Sequence, residues 1–109
     1  MSANLLRDLY AKAAALHQQG RLAEAEPVYR QMLAAAPGDF TAQHMLGVLK
    51  AQQGQLDQAQ VLIAGALKSN PRHAGALVNY GNILNLSGRY AEALASYDQA
   101  LMIAPDADT

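Results

Sequence analysis

Residues 79–105 read NYGNILNLSGRYAEALASYDQALMIAP, and this stretch decides the fold. Before Gly88, the apolar or small residues Leu77, Gly81 and Leu84 recur at helical spacing. After it, Tyr90, Ala93, Leu94, Tyr97, Ala100 and Leu101 do so again. Gly88 suits the end of the first helix, because glycine enters the left-handed region without a Cβ penalty. Pro105 stops the second helix, since proline lacks the N–H that would continue it. One helical hairpin is therefore predicted from these residues.

The same hairpin is written twice more upstream. Gly20, Gly54 and Gly88 stand 34 residues apart, as do Ala25, Ala59 and Ala93, then Leu33, Leu67 and Leu101, then Pro37, Pro71 and Pro105. Fainter columns keep the period: Ala13, Gly47 and Gly81; Tyr29, Ile63 and Tyr97; Met32, Ala66 and Ala100. The chain is thus predicted to be all-α, an α-solenoid of three tandem 34-residue repeats at about Leu6–Asp39, Phe40–His73 and Ala74–Ala107, forming a single domain over residues 1–109. The column Ala13, Gly47 and Gly81 is expected to face Ala25, Ala59 and Ala93, where two small surfaces let paired helices approach closely. Pro27 falls about a turn inside a second helix and forfeits one backbone hydrogen bond there. No run of alternating β-branched residues competes with this reading.

Composition narrows the function. The 109 residues are 51% hydrophobic but only 6% aromatic, so small aliphatic side chains fill the interior. A net charge of -1 with 16% charged residues gives no basic footprint for nucleic acid or an anionic membrane. Zero cysteines exclude disulfides, thiolate nucleophiles and cysteine-ligated zinc. The longest apolar run, Val61 to Leu67, is far short of a bilayer span, and Arg7 and Asp8 interrupt any signal-like start. A cytoplasmic protein is expected.

The ordered set of small residue, glycine, alanine, aromatic, alanine and proline in a 34-residue unit resembles the tetratricopeptide repeat. The third copy carries it most clearly, through Asn79-Tyr80-Gly81-Asn82 and then Gly88-Arg89-Tyr90-Ala91-Glu92-Ala93-Leu94. Leu9, Gln43 and Leu77 depart from the family where tryptophan is frequent, and Met32 replaces a small residue. The resemblance implies a curved array whose concave groove is lined by the first helix of each repeat. That stripe would run Arg7, Tyr10, Ala14 and His17, then Thr41, His44, Val48 and Ala51, then Gly75, Val78, Asn79, Asn82 and Asn85. The implied function is a protein-interaction scaffold that binds a peptide or protein segment, with the asparagine amides pairing to its main chain in both directions. Alternatively, these asparagines are merely solvated or tie one helix to the next.

One subclass of the family clamps the C-terminal carboxylate of chaperone tails with lysine and arginine. The matching places here hold Tyr10, Ala14, Met45, Gly75 and Asn79, none of them a cation, so no chaperone-tail binding is expected. The chain also resembles the leading repeats of large bacterial proteins, some bearing an O-GlcNAc-transferase-like glycosyltransferase domain and others a sulfotransferase domain. That resemblance implies an alternative role, presenting a protein substrate to a catalytic domain beyond Thr109.

Catalysis within these residues is not expected, and neither is a metal or cofactor. His17 and His44 sit seven residues out of register on equivalent helices, an axial offset of about 10 Å, and His73 lies in a loop. They read as scattered surface histidines that do not converge. Glu24 and Glu26 are two apart and point in different directions. The end of the chain, by contrast, suggests an interface. The repeats read as an N-terminal excerpt of a longer array without a polar capping helix, which would leave Leu94, Tyr97 and Leu101 partly uncovered. Burying each large apolar side chain stabilises by about 1.5–3 kcal/mol, so self-association is expected there, as a two-fold homodimer rather than end-to-end stacking.

Overall fold

Three helical hairpins follow one another in the computed structural model of the chain, which describes residues 3–104. They comprise α1 (Ala3–Gln18) with α2 (Leu22–Ala35), α3 (Phe40–Gln52) with α4 (Leu56–Ser69), and α5 (Ala74–Leu86) with α6 (Tyr90–Ile103). The α2 helix runs through Pro27 without a break. Pro105, assigned to stop the last helix, and the repeat end at Ala107 lie outside the described residues.

Local chemistry explains the helix ends. Gly20, Gly54 and Gly88 adopt φ of 76°, 79° and 80°. This left-handed step lets the next amide turn back, so that Arg21, Gln55 and Arg89 N–H each donate to Leu16, Lys50 and Leu84 carbonyls at 2.9 Å. Between repeats the helix starts are capped by side chains. Asp39 accepts from the Ala42 amide at 2.9 Å, and His73 Nδ1 accepts from the Ala76 amide at 3.0 Å.

The small column makes room mainly for the larger side chain opposite. A Cβ at Gly47 would lie 2.5 Å from Ile63 Cγ1, and one at Gly81 would lie 2.6 Å from Tyr97 Cε1. Ala13 carries that Cβ in the first repeat, so the Tyr29 ring has to take a different path from Tyr97. Its hydroxyl reaches His17 Nδ1 at 2.9 Å, whereas the Tyr97 hydroxyl donates to Asn82 Oδ1 at 2.6 Å. Burial drives the Tyr29 phenol pKa up to about 12, with the neighbouring Tyr10 adding to the rise. Tyr29, Leu46, Leu49, Ile63 and Leu84 are the largest fully buried side chains among the described residues. Gln43, in the tryptophan column, is less well accommodated. Its amide donates to the Pro37 carbonyl at 3.3 Å, but its buried Oε1 finds no partner among the described residues.

Candidate functional site

The first helices of the repeats, α1, α3 and α5, lie side by side and are joined by side-chain bonds. His17 on α1 reaches Gln52 on α3 through Nε2 to Oε1 at 2.6 Å. His44 on α3 reaches Asn79 on α5 through Nε2 to Nδ2 at 2.9 Å. The expectation of surface histidines is therefore corrected for both, because each imidazole is buried and used within the fold. With the amide of Asn79 donating, His44 Nε2 must be the unprotonated acceptor. Its pKa is lowered, first by burial and then by His73, which keeps that acceptor available.

His73 also corrects the expectation that the histidines stay apart. Its ring centroid is 5.6 Å from that of His44 and 4.8 Å from that of Phe40, while Phe40 and His44 are 5.4 Å apart. The three rings form one cluster at the junction of the second and third repeats. Sequence reasoning missed it, although a signal existed: His73 stands one period after Asp39, in the column that caps the next first helix. This imidazole pair has no third ligand, and no group of three or more potential metal-ligating side chains occurs among the described residues.

The remaining stripe residues are spent to different degrees. Asn79 is committed to His44, and Asn82 accepts from Tyr97, whereas the exposed Asn85 side chain makes no hydrogen bond among the described residues. Val48 and Val78 are half-buried, as are Ala14 and Ala51, and Gly75 is exposed. Exposed Arg7 donates to Asn4 Oδ1 at 3.0 Å. Beside it a cleft of about 290 Å³ opens between the N-terminal ends of α1 and α3, lined by Leu6, Arg7, Tyr10, Met32, Asp39 and Thr41. Arg7, Tyr10 and Thr41 are thus brought together at one end of the stripe, and Asn82 and Asn85 lie on the helix at the other end.

Away from this face, Glu24 pairs with Arg21 at 2.6 Å, while Glu26 pairs with Arg30 and with the buried Lys50, each at 2.9 Å. The two carboxylates serve different partners and form no acid pair. On α6, Leu94 is 61% exposed and Leu101 is 40% exposed, with Tyr97 half-buried between them.

Sequence profiles of the tetratricopeptide repeat match residues 6–49 and 44–108. The chain belongs to the tetratricopeptide-repeat family. Among its relatives is human protein O-mannosyl-transferase TMTC2, 30% identical over 100 residues that cover 89% of this chain. The match spans only 12% of that relative's length. The repeats also superimpose on an O-GlcNAc transferase of Thermobaculum terrenum with a TM-score of 0.93 and 28% identity, over 97% of this chain and 21% of the other. The Yersinia enterocolitica type III secretion chaperone SycD, solved with a peptide of the translocator YopD, shares the fold with a TM-score of 0.88. It is 21% identical, with 94% of this chain and 79% of SycD aligned. The tetratricopeptide repeats fill the matched chain, and none of the described helices is long and apolar enough to cross a membrane.

Proposed function

We propose that this tetratricopeptide-repeat array is an interaction scaffold that binds an extended segment of a partner protein along α1, α3 and α5. The observation that carries the reading is the pairing of an open cleft at Arg7, Tyr10 and Thr41 with uncommitted amide capacity at Asn82 and Asn85. Amides donate and accept at once, as a peptide main chain requires. Val48, Val78, Ala14 and Ala51 supply a low, mildly apolar floor between these ends. His17, His44 and Asn79 act from below, holding the helices that carry the exposed groups. A chaperone tail does not fit, because the places that would grip its carboxylate hold no cation.

A peptide array followed by calorimetry tests this. Selected peptides should bind Arg7→Glu and Asn85→Ala variants about tenfold more weakly, a change of about 1.4 kcal/mol. Equal affinity for both variants and the unaltered chain would remove the groove from the proposal.

A second reading is favoured by the superposition on the O-GlcNAc transferase. In it, the same face presents a protein substrate to a glycosyltransferase or sulfotransferase domain located outside these residues. The sequence of the whole gene separates this from a free-standing scaffold.

Self-association through Leu94, Tyr97 and Leu101 is proposed alongside. Glu26 and Gln60 precede Leu94 in its column, and Leu33 and Leu67 precede Leu101; all four are half-buried in the array, whereas Leu94 and Leu101 are open. On α1, the exposed Asp8 and Lys12 stand where α3 buries Ala42 and Leu46. A copy stacked end to end would bury those charges, so pairing of two α6 faces about a two-fold axis is favoured. Sedimentation over a wide concentration range should show a dimer that Leu94→Lys dissociates. A monomer at every concentration would rule it out.

A further inference from the structure

The two junctions between repeats contain the same space, filled at one and open at the other. One period after Leu6, Arg7, Tyr10, Met32, Asp39 and Thr41 come Phe40, Thr41, His44, Ala66, His73 and Gly75. At the second junction the space is occupied by the Phe40, His44 and His73 rings, packed with centroids 4.8–5.6 Å apart. The His73 ring lies over Gly75, where an added Cβ would be 3.1 Å from its Cε1. At the first junction Leu6 replaces Phe40 and Asp39 replaces His73. Only one ring remains, that of Tyr10, and a cleft of about 290 Å³ is left.

We infer that this first-junction cleft is a receptor for one aromatic side chain, tyrosine or tryptophan, of the bound segment. Planar rings are what this space accepts one period later. Tyr10 offers the ring that a guest would pack against at offset or edge-to-face distance. The charges at the cleft fit the same guest. The Arg7 guanidinium favours the face of a π system. Asp39 uses Oδ2 to cap α3, and its other oxygen has no partner among the described residues. Because Asp39 lines the cleft, that oxygen is available to accept from a phenol O–H or an indole N–H, which distinguishes tyrosine and tryptophan from phenylalanine. The inference depends on the peptide-binding reading for the source of the ring, but the cleft can be probed without a peptide.

The probe is p-cresol, the tyrosine side-chain analogue, titrated into the whole ¹⁵N-labelled chain and followed by amide NMR shifts. Saturable shifts at Arg7 and Tyr10 are expected. Cyclohexanol, which has a similar size and one hydroxyl but no planar ring, should bind at least about tenfold more weakly. Asp39→His, which keeps a side-chain cap of the kind His73 provides, should block the cleft and abolish the p-cresol shifts, alone or combined with Leu6→Phe. Conversely, His73→Asp with Phe40→Leu should create a second p-cresol site, reported by His44 and Gly75. Shifts scattered over the surface, equal binding of cyclohexanol, or unchanged binding by Asp39→His would each overturn the inference. If p-cresol occupies the cleft while no peptide binds the chain, the receptor stands and the peptide reading falls. If peptides bind α1, α3 and α5 while p-cresol leaves Arg7 and Tyr10 unmoved, the receptor falls alone.

Discussion

The first and second repeats meet through an imidazole–amide bond and an ion pair, whereas the second and third meet through an imidazole–amide bond and a cluster of rings. At the first junction Glu26 on α2 holds Lys50 on α3 at 2.9 Å, and Gln52 holds His17 at 2.6 Å. One period later these four places carry Gln60, Leu84, Leu86 and Ala51, which make none of those bonds. The tie has moved to the other end of the helices, where His44 meets Asn79 beside Phe40 and His73. The apolar floor changes as well. Leu62 is partly buried against the first core, but its successor Ser96 turns inward to donate to the Leu77 carbonyl at 2.7 Å. A cleft of about 320 Å³ then remains on the outer side, lined by Leu67, Tyr80, Leu84 and Ser96 among others. Small columns and glycine turns thus fix where helices lie, while the side chains that join neighbouring repeats vary freely.

The largest expected effect comes from breaking the first junction. Glu26→Ala leaves the buried Lys50 ammonium without its partner and should destabilise by about 3 kcal/mol in denaturant unfolding. Copying the second junction, with Glu26→Gln and Lys50→Leu together, should recover most of that loss, because the charge is removed with its partner. If the double variant is as unstable as the single one, the pair is not interchangeable between junctions.

Next in size is the contrast between the two tyrosines of one column. Tyr29→Phe leaves buried His17 Nδ1 unsatisfied and should cost about 1–2 kcal/mol. Tyr97→Phe loses a bond to the exposed Asn82 and should cost no more than about 0.5 kcal/mol. Equal losses, read from the same unfolding curves, would show that the two hydroxyls do equivalent work.

A subtler difference is in pH. His44 has its folded pKa below the ordinary 6.5, so the unfolded chain binds the proton first as pH falls. Its contribution is complete above about 6.5 and is lost on acidification through the folded pKa. Glu26 is held below its ordinary 4.5, foremost by its hydrogen bond to Lys50. Its contribution is present above about 4.5 and is lost as pH falls through its lower folded value. Hydrogen exchange should therefore show α5 loosening from α3 in mild acid while α3 stays on α2 until stronger acid. His44→Leu should remove the earlier step. Simultaneous loosening of both junctions would contradict the assignment.

Much of the fold was legible because it is written in residues whose role hardly depends on neighbours. A glycine with φ near 80° and an alanine with no accessible surface declare themselves by period alone. The face of the candidate site was legible for the same reason, as helix spacing orders Arg7, Tyr10 and Thr41 on one side. What spacing did not reveal was which polar groups were already engaged. His17 with Gln52 and His44 with Asn79 are both 35 residues apart, one period and one residue, so each bond crosses a repeat boundary. The period alone does not say whether such a pair exists, since one repeat later the places of His17 and Gln52 hold Ala51 and Leu86, which have no polar side-chain atom to join. His73 stands in the inter-repeat loop as read, but that reading gave it no role there, whereas it caps α5 and completes the ring cluster.

The most direct test of the central claim is to map, by amide NMR, where a selected peptide ligand touches the ¹⁵N-labelled chain. We expect the shifts to concentrate at Arg7, Tyr10, Thr41, Val48, Val78, Asn82 and Asn85, and to weaken in Asn85→Ala. Shifts gathered instead on the outer residues Arg30, Val61 and Leu94, unaffected by Asn85→Ala, would contradict it.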